Sequence, residues 1–236
     1  MNTSRVILIT GAVGNLGLAT ARAFHQAGAR TVLIDRSAER LRKTFPELVD
    51  SPDHFLASGV DLGDPAAVHK MVTDTVARFA RIDVLVNTVG AWGGGKPVHE
   101  EDSSLLDKLL NVNLRTTVHC CRAVIPHMLK EKGGKIVNVA SRDGLLGTAG
   151  FAAYSISKSA VLRLTEALAD ELKDAHINVN CILPATIDTP QNRAAMPDAD
   201  FRKWVEPAAL ADVILFLASD AARAINGAAL PVYGKG

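Results

Sequence analysis

Short runs of β-branched and aliphatic residues alternate along the chain with longer stretches whose apolar positions recur every three or four residues. The short runs fall at 6–10, 31–35, 55–60, 82–87, 135–140, 177–183 and 229–232. Most are continuous rather than alternating, which predicts strands covered on both faces. The helical periodicity falls at 16–27, 38–45, 65–79, 103–130, 151–174 and 207–217. Asp64-Pro65 offers an N-cap followed by proline in the first turn, and Pro207 repeats the proline device. Strand and helix alternating through short connections implies right-handed crossovers and a parallel sheet between two helical layers. The fold class predicted is α/β, a doubly wound parallel sheet of about seven strands in a single domain over 1–236. No internal repeat or Pro/Gly/Ser-rich linker divides the chain. Residues 185–206 read as neither helix nor strand and carry Pro190 and Pro197, so they are expected to form a substrate loop or lid beyond the sixth strand.

Composition narrows the function. The 236 residues are 48% hydrophobic and 22% charged, with 26 Lys+Arg against 25 Asp+Glu, so the net charge is +1. That is the composition of a folded globular chain, without a field to gather nucleic acid or acidic membranes. Three cysteines, two of them adjacent at 120 and 121, make no disulfide framework, and seven scattered histidines show no metal-ligand spacing. No segment is long and apolar enough for a membrane span or a signal-peptide core. The expectation is a reduced, cytoplasmic protein with no metal, no nucleic acid and no membrane, acting on a small molecule.

Two constellations carry chemistry. Thr10-Gly11-Ala12-Val13-Gly14-Asn15-Leu16-Gly17 leaves the first strand and opens the first helix, where free amides and the positive end of the helix dipole suit a pyrophosphate. Asp35 ends the second strand, placed to accept from both hydroxyls of an adenosine ribose and to repel a 2′-phosphate. This favours NAD over NADP. Arg36 argues the other way, since a guanidinium there can stack on adenine or hold that phosphate. In the second constellation, Tyr154 and Lys158 stand four residues apart near a helix start and share a face. A cation about 4 Å from a phenolate at an effective dielectric near 20 is worth roughly 4 kcal/mol, about three pKa units, enough to bring the phenol toward neutrality. Ser141 ends the fifth strand. Asn113 lies inside the preceding helical stretch, where an amide is a poor helix former, and Asn111 competes for the same role.

These residues resemble the short-chain dehydrogenase/reductase family over essentially the whole chain. Thr10–Gly17 is similar to its cofactor loop, so Gly11, Gly14, Asn15, Leu16 and Gly17 are implied to bind the dinucleotide. Asp61-Leu62 resembles the acidic pair beside the adenine, and the stretch from Asn87 to Gly90 resembles the family's Asn-Asn-Ala-Gly segment. Val112-Asn113-Leu114 resembles the stretch with the active-site asparagine, and residues 137–141 the strand ending in the catalytic serine. Pro184, Ile187 and Thr189 match the segment that holds the nicotinamide carboxamide. The resemblance implies a Rossmann fold and a homotetramer or homodimer built through the helices near 103–130 and 151–174. It also implies a catalytic set of Asn113, Ser141, Tyr154 and Lys158, with Tyr154 exchanging a proton, Ser141 holding the substrate oxygen, Lys158 binding ribose hydroxyls and Asn113 positioning a water.

Departures are Asn15 for the usual middle glycine, Thr88 and Val89 for Asn and Ala, Ala185 for Gly, and a tail ending Tyr233-Gly-Lys-Gly. Asn15 is expected to keep the turn because asparagine tolerates left-handed dihedrals. Residues 188–204 and the Trp92 loop resemble the corresponding parts of the dihydropteridine reductases, NADH-dependent members of the same family. Trp92, Phe151, Met196 and Trp204 are expected to form a flat apolar pocket, with Arg142 at the substrate side. Ser141 argues for ordinary alcohol/ketone chemistry instead, because a quinonoid imine has no carbonyl for it to hold. The expected function is an NAD(H)-dependent secondary-alcohol dehydrogenase or ketone reductase. The alternatives are a quinonoid dihydropteridine reductase and a catalytically silent dinucleotide sensor.

Overall fold

The computed structural model describes residues 5–236. Among these, seven strands form one parallel sheet in the order β3-β2-β1-β4-β5-β6-β7. They are β1 (Val6–Thr10), β2 (Arg30–Asp35), β3 (His54–Ser58), β4 (Val84–Asn87), β5 (Gly134–Val139), β6 (Ile177–Pro184) and β7 (Ala229–Val232). The helices are α1 (Asn15–Gln26), α2 (Ala38–Thr44), α3 (Pro65–Phe79), α4 (Ser104–Leu109), α5 (Thr116–Lys130), α6 (Ala152–Leu172), α7 (Pro190–Ala195) and α8 (Pro207–Leu217).

The continuous apolar runs have a simple cause. Successive strand side chains point to opposite faces, and both faces are covered. Val6, Leu8, Val32, Ile34, Leu85 and Ile136 pack on one side against Val68 and Val72 of α3, Val124 and Met128 of α5 and Leu168 of α6. Ile7, Ile9, Leu33, Val84, Val86 and Val137 pack on the other against Phe24 of α1, Leu41 of α2 and Leu210 and Ile214 of α8. β1 pairs with β2 on one side and β4 on the other, so the chain reverses direction across the sheet at that point. The crevice beyond the carboxyl ends of β1 and β4 is where such sheets take their ligands.

Three local outcomes differ from the pattern-based reading. Gly59, at φ +73°, turns the chain at the end of β3, two residues before the strand expected there would finish. The single helix expected over 103–130 is interrupted by a π-helical turn, Leu110–Arg115, between α4 and α5. The lid region carries its own helix, α7, with Pro190 in the first turn and the Thr189 hydroxyl accepting from the Asn192 amide. A parallel bridge between Ile187 and Val205 joins the two ends of that loop. No described helix is long and apolar enough to cross a membrane. The three cysteines are free and buried.

Gly11, at φ +63°, makes the turn out of β1 and lets α1 sit tightly on it. A Cβ on Gly17 would lie 2.1 Å from the Gly11 carbonyl oxygen, so the helix touches the turn backbone to backbone. Gly17→Ala is therefore expected to cost roughly 1–3 kcal/mol of stability through overpacking, read from the midpoint of urea denaturation. An unchanged midpoint would contradict this close approach.

Candidate active site

The crevice at the β1/β4 switch opens into a cavity of about 540 Å³ lined by Gly11, Asp35, Arg36, Arg40, Asp61, Leu62, Val89 and Asn111, among others. At its phosphate end, α1 begins at Asn15 behind Gly14, and no side chain caps it, so its first-turn amides face outward. Gly14 folds back to hydrogen-bond the Gly11 carbonyl at 2.9 Å. Asn15 is helical rather than left-handed; the positive dihedral of this turn belongs to Gly11. The tolerance expected of asparagine is not needed here.

At the other end, one Asp35 oxygen accepts from the Ser37 amide at 3.0 Å, which fixes the carboxylate at the tip of β2. Asp61 is held similarly by the Gly63 amide at 2.9 Å. Arg40, which the motif reading did not single out, reaches from α2 to the Val13 carbonyl at 3.3 Å and so joins this wall to the glycine-rich turn. An uncapped helix start, a carboxylate at the tip of β2 and a cavity of this volume are compatible with a dinucleotide. Asn87 behaves differently: it is buried, and its carboxamide donates to Asn138 Oδ1 at 2.9 Å, while Asn138 donates to Thr165 Oγ1 of α6 at 3.0 Å. Its side chain joins β4, β5 and α6 below the cleft rather than facing it.

The catalytic candidates converge beside this cavity. Asn113 is 1% exposed within the π-helical turn. Its Oδ1 accepts from the Ala91 amide at 2.7 Å, and its Nδ2 donates to the Ala91 carbonyl at 3.0 Å and to Ser157 Oγ at 2.8 Å. Ser157 in turn donates to the Tyr154 carbonyl at 2.8 Å. Asn113 thereby ties the loop after β4 to the first turn of α6. Asn111 is exposed and accepts from Arg115 at 2.7 Å, so it does not join this inward network. Lys158 is 4% exposed, and its Nζ donates to the Val139 carbonyl at 3.0 Å. A Cβ on Gly90 would lie 3.1 Å from Lys158 Nζ and 3.2 Å from Asn113 Oδ1, so a side chain there would press on both groups. Ser141, buried at the end of β5, accepts from the Asp143 amide at 3.2 Å.

A protein-family model for short chain dehydrogenases matches residues 5–200. The chain belongs to that family. It is 40% identical, over 98% of its own length and 96% of the other's, to (2S)-[(R)-hydroxy(phenyl)methyl]succinyl-CoA dehydrogenase subunit BbsD of Thauera aromatica. The crystal structure of NAD+-bound xylitol dehydrogenase superposes with a TM-score of 0.89 at 29% identity, covering 98% of each chain. The solved structure of ElxO with NADP bound gives a TM-score of 0.89 at 27% identity, covering 98% of this chain and 97% of the other. The doubly wound sheet is that of the short-chain dehydrogenases, whose members bind a nicotinamide dinucleotide.

In this member of the family the electrostatics of the Tyr154–Lys158 pair differ from the simple expectation. The phenol is pushed up from its ordinary value, first by burial; a hydrogen bond with Ser141 pulls it down and the nearby Asp143 carboxylate pushes it up further. The drop expected from Lys158 is not realised here. The amine is itself desolvated: burial lowers its pKa to about 8, opposed by Cys181, and it is aimed at a carbonyl.

The expected flat pocket of four side chains resolves into two aromatic pairs. Gly95 donates to the Gly150 carbonyl at 2.7 Å, and this contact between loops brings Trp92 to 5.3 Å from Phe151. Trp204 instead packs 4.8 Å from Phe201 on its own loop, where Asp200 caps a short 3-10 turn. Met196 is exposed at the end of α7, and the Arg142 guanidinium lies 5.8 Å from the Tyr233 ring. Pro184 ends β6, while Ile187 and Thr189 lie at the root of α7.

The depressed Lys158 pKa makes stability depend on pH. Below about pH 8 the amine is charged in both the folded and unfolded chain, and the fold carries the full cost of a buried cation. Between about 8 and 10.5 only the unfolded chain keeps the proton, so the cost fades as pH rises. Lys158→Met is therefore expected to stabilise the free protein by on the order of 3 kcal/mol at neutral pH, with the gain vanishing toward pH 10.5. Urea denaturation at both ends of that range checks it; a gain independent of pH contradicts it.

Proposed function

We propose that this protein is an NAD(H)-dependent oxidoreductase that interconverts a secondary alcohol and its ketone. The observation that carries the reading is the convergence of Ser141, which lies close enough to Tyr154 to lower its phenol, with the buried Lys158 one turn further along the same helix, next to the cleft beyond β1 and β4. The dinucleotide, when bound, supplies the carbon that gives or takes the hydride. The protein handles the proton. During oxidation Tyr154 takes the hydroxyl proton of the substrate, and during reduction it returns a proton to the carbonyl oxygen. Ser141 donates to that same oxygen and stabilises the charge that gathers there. Lys158 lies one turn below the phenol, at the ribose side of the cleft, and Asn113 fixes the loop and helix between which both groups sit.

Gly11, Gly14, Asn15, Leu16 and Gly17 would receive the pyrophosphate, Asp35 and Arg36 the adenosine ribose, and Asp61 and Leu62 the adenine. Gly90, Pro184, Ile187 and Thr189 would flank the nicotinamide. The free oxygen of Asp35 favours a ribose diol over a 2′-phosphate, and Arg40 is already engaged with Val13, so NAD(H) is preferred. The substrate side is walled by Trp92 and Phe151, with Arg142 nearby. Ser141 favours this reading over pteridine reduction, and its pairing with Tyr154 favours it over a silent sensor. Exposed Leu106, Leu129 and Ile156 on the helices between 104 and 172 support a homodimer or homotetramer. The free, buried cysteines support a cytoplasmic location.

Tyr154→Phe is expected to abolish NAD(H)-linked turnover of secondary alcohols and ketones while NADH binding stays within a few-fold. Turnover that survives the change removes Tyr154 from the mechanism, and oxidation of NADH by quinonoid dihydropterin but by no ketone in a broad panel would favour the pteridine alternative. Asp35→Ser is expected to move the ratio of kcat/KM for NAD over NADP by about tenfold or more toward NADP, equivalent to about 1.4 kcal/mol. An unmoved ratio would shift the choice of cofactor to the neighbouring arginines.

A further inference from the structure

Asn15 stands where the family resemblance leads one to expect glycine, and its side chain does something a hydrogen atom cannot. Its Nδ2 donates to Gln191 Oε1 at 2.9 Å, joining positions 176 apart in sequence. One partner is the first residue of α1, at the phosphate end of the cleft, and the other lies in the first turn of α7, in the lid. The lid behind Gln191 is braced. Asn192 donates to the Ile187 carbonyl at 2.8 Å, and Arg193 is held by both Asp188 oxygens at 2.6 and 2.7 Å. The same guanidinium lies 4.9 Å from the Phe201 ring, which packs on Trp204. The Ile187–Val205 bridge closes the base of the loop. A strain applied at Gln191 is therefore passed to the whole lid rather than absorbed by a loose end.

We propose that Asn15 and Gln191 form a clasp holding α7 over the phosphate-binding turn, and that the dinucleotide enters and leaves by breaking it. The pair then sets how long the dinucleotide stays bound. The chemistry suits a latch. Both partners are exposed, so water can take over each group when the clasp opens, and a bond between neutral amides contributes only modestly. It is also uncharged, so its contribution is insensitive to salt, unlike that of the Asp188–Arg193 pair behind it. The proposal rests on the dinucleotide lying at the glycine-rich turn.

The test is stopped-flow release of NADH from the full-length protein, chased with excess NAD+, in Asn15→Ala, Gln191→Ala, the double variant, and the exchanged pair Asn15→Gln with Gln191→Asn. Each single variant is expected to speed release about threefold to tenfold, the double variant no more than the faster single, and the exchanged pair to recover part of the loss. The same rate increase should persist at high salt. Tryptic cleavage after Arg193, Arg202 and Lys203 in the dinucleotide-free protein should quicken in both single variants. Unchanged release in Gln191→Ala overturns the clasp, even if Asn15→Ala speeds release, because that pattern means Asn15 touches the dinucleotide on its own. A wild-type protein that did not bind NADH would contradict the cofactor assignment, while the proteolysis, which needs no dinucleotide, would still decide the clasp.

Discussion

A primary amine buried to 4% exposure, with a backbone carbonyl as its hydrogen-bond partner, constrains everything around it. A buried cation is costly, and Lys158 is tolerated because β5 ends with the Val139 carbonyl directed at it and because Gly90 has no side chain to crowd it. Those two contacts tie the end of β5 and the loop after β4 to α6. They also fix where Tyr154 stands, one helical turn before the amine and against Ser141 at the tip of β5.

The remaining polar groups serve this arrangement. Asn113 completes both hydrogen bonds of the Ala91 peptide and reaches Ser157, so the loop after β4 cannot move without disturbing the first turn of α6. The π-helical turn matters here. It inserts a residue into the α4–α5 run and rotates Asn113 into the interior while Asn111 stays at the surface. Deeper down, Asn87, Asn138 and Thr165 repeat the device between β4, β5 and α6. The site is thus held by two tiers of amide hydrogen bonds, one beneath the sheet ends and one at the mouth.

Much of this was legible in the chain. Continuous apolar runs separated by helical periodicity predicted the strands and the doubly wound sheet, because both faces of each strand are covered. The glycine-rich turn, Asp35, Ser141, Tyr154 and Lys158 fell out of local pattern and spacing. What escaped depends on long-range contact. Ser157 looks like any small helical residue until Asn113 is brought to it, and Arg40 and Gln191 carry no motif. The π-helical turn leaves no periodic signature over so few residues. The helix α7 was readable: Thr189-Pro190 repeats the cap-and-proline device of Asp64-Pro65, but Pro190 and Pro197 close together suggested irregular chain. The expected four-residue pocket divides for a related reason: Trp92 and Phe151 meet across two loops, while Trp204 packs on Phe201 of its own loop, a partner that spacing alone does not reveal. The phenol's direction was misjudged because spacing on a helix gives proximity but not desolvation.

The central claim is that the phenol proposed to react is a partly buried group whose ionisation is held back by desolvation and eased by Ser141. The protein has two tyrosines, so a Tyr233→Phe background leaves Tyr154 as the sole phenol. Ultraviolet difference titration of that protein reads Tyr154 directly. The midpoint should lie above the ordinary tyrosine value of 10.0 and rise further when Ser141→Ala removes the hydrogen bond that favours the phenolate. A midpoint at or below the ordinary value, unmoved by the loss of Ser141, would contradict the account.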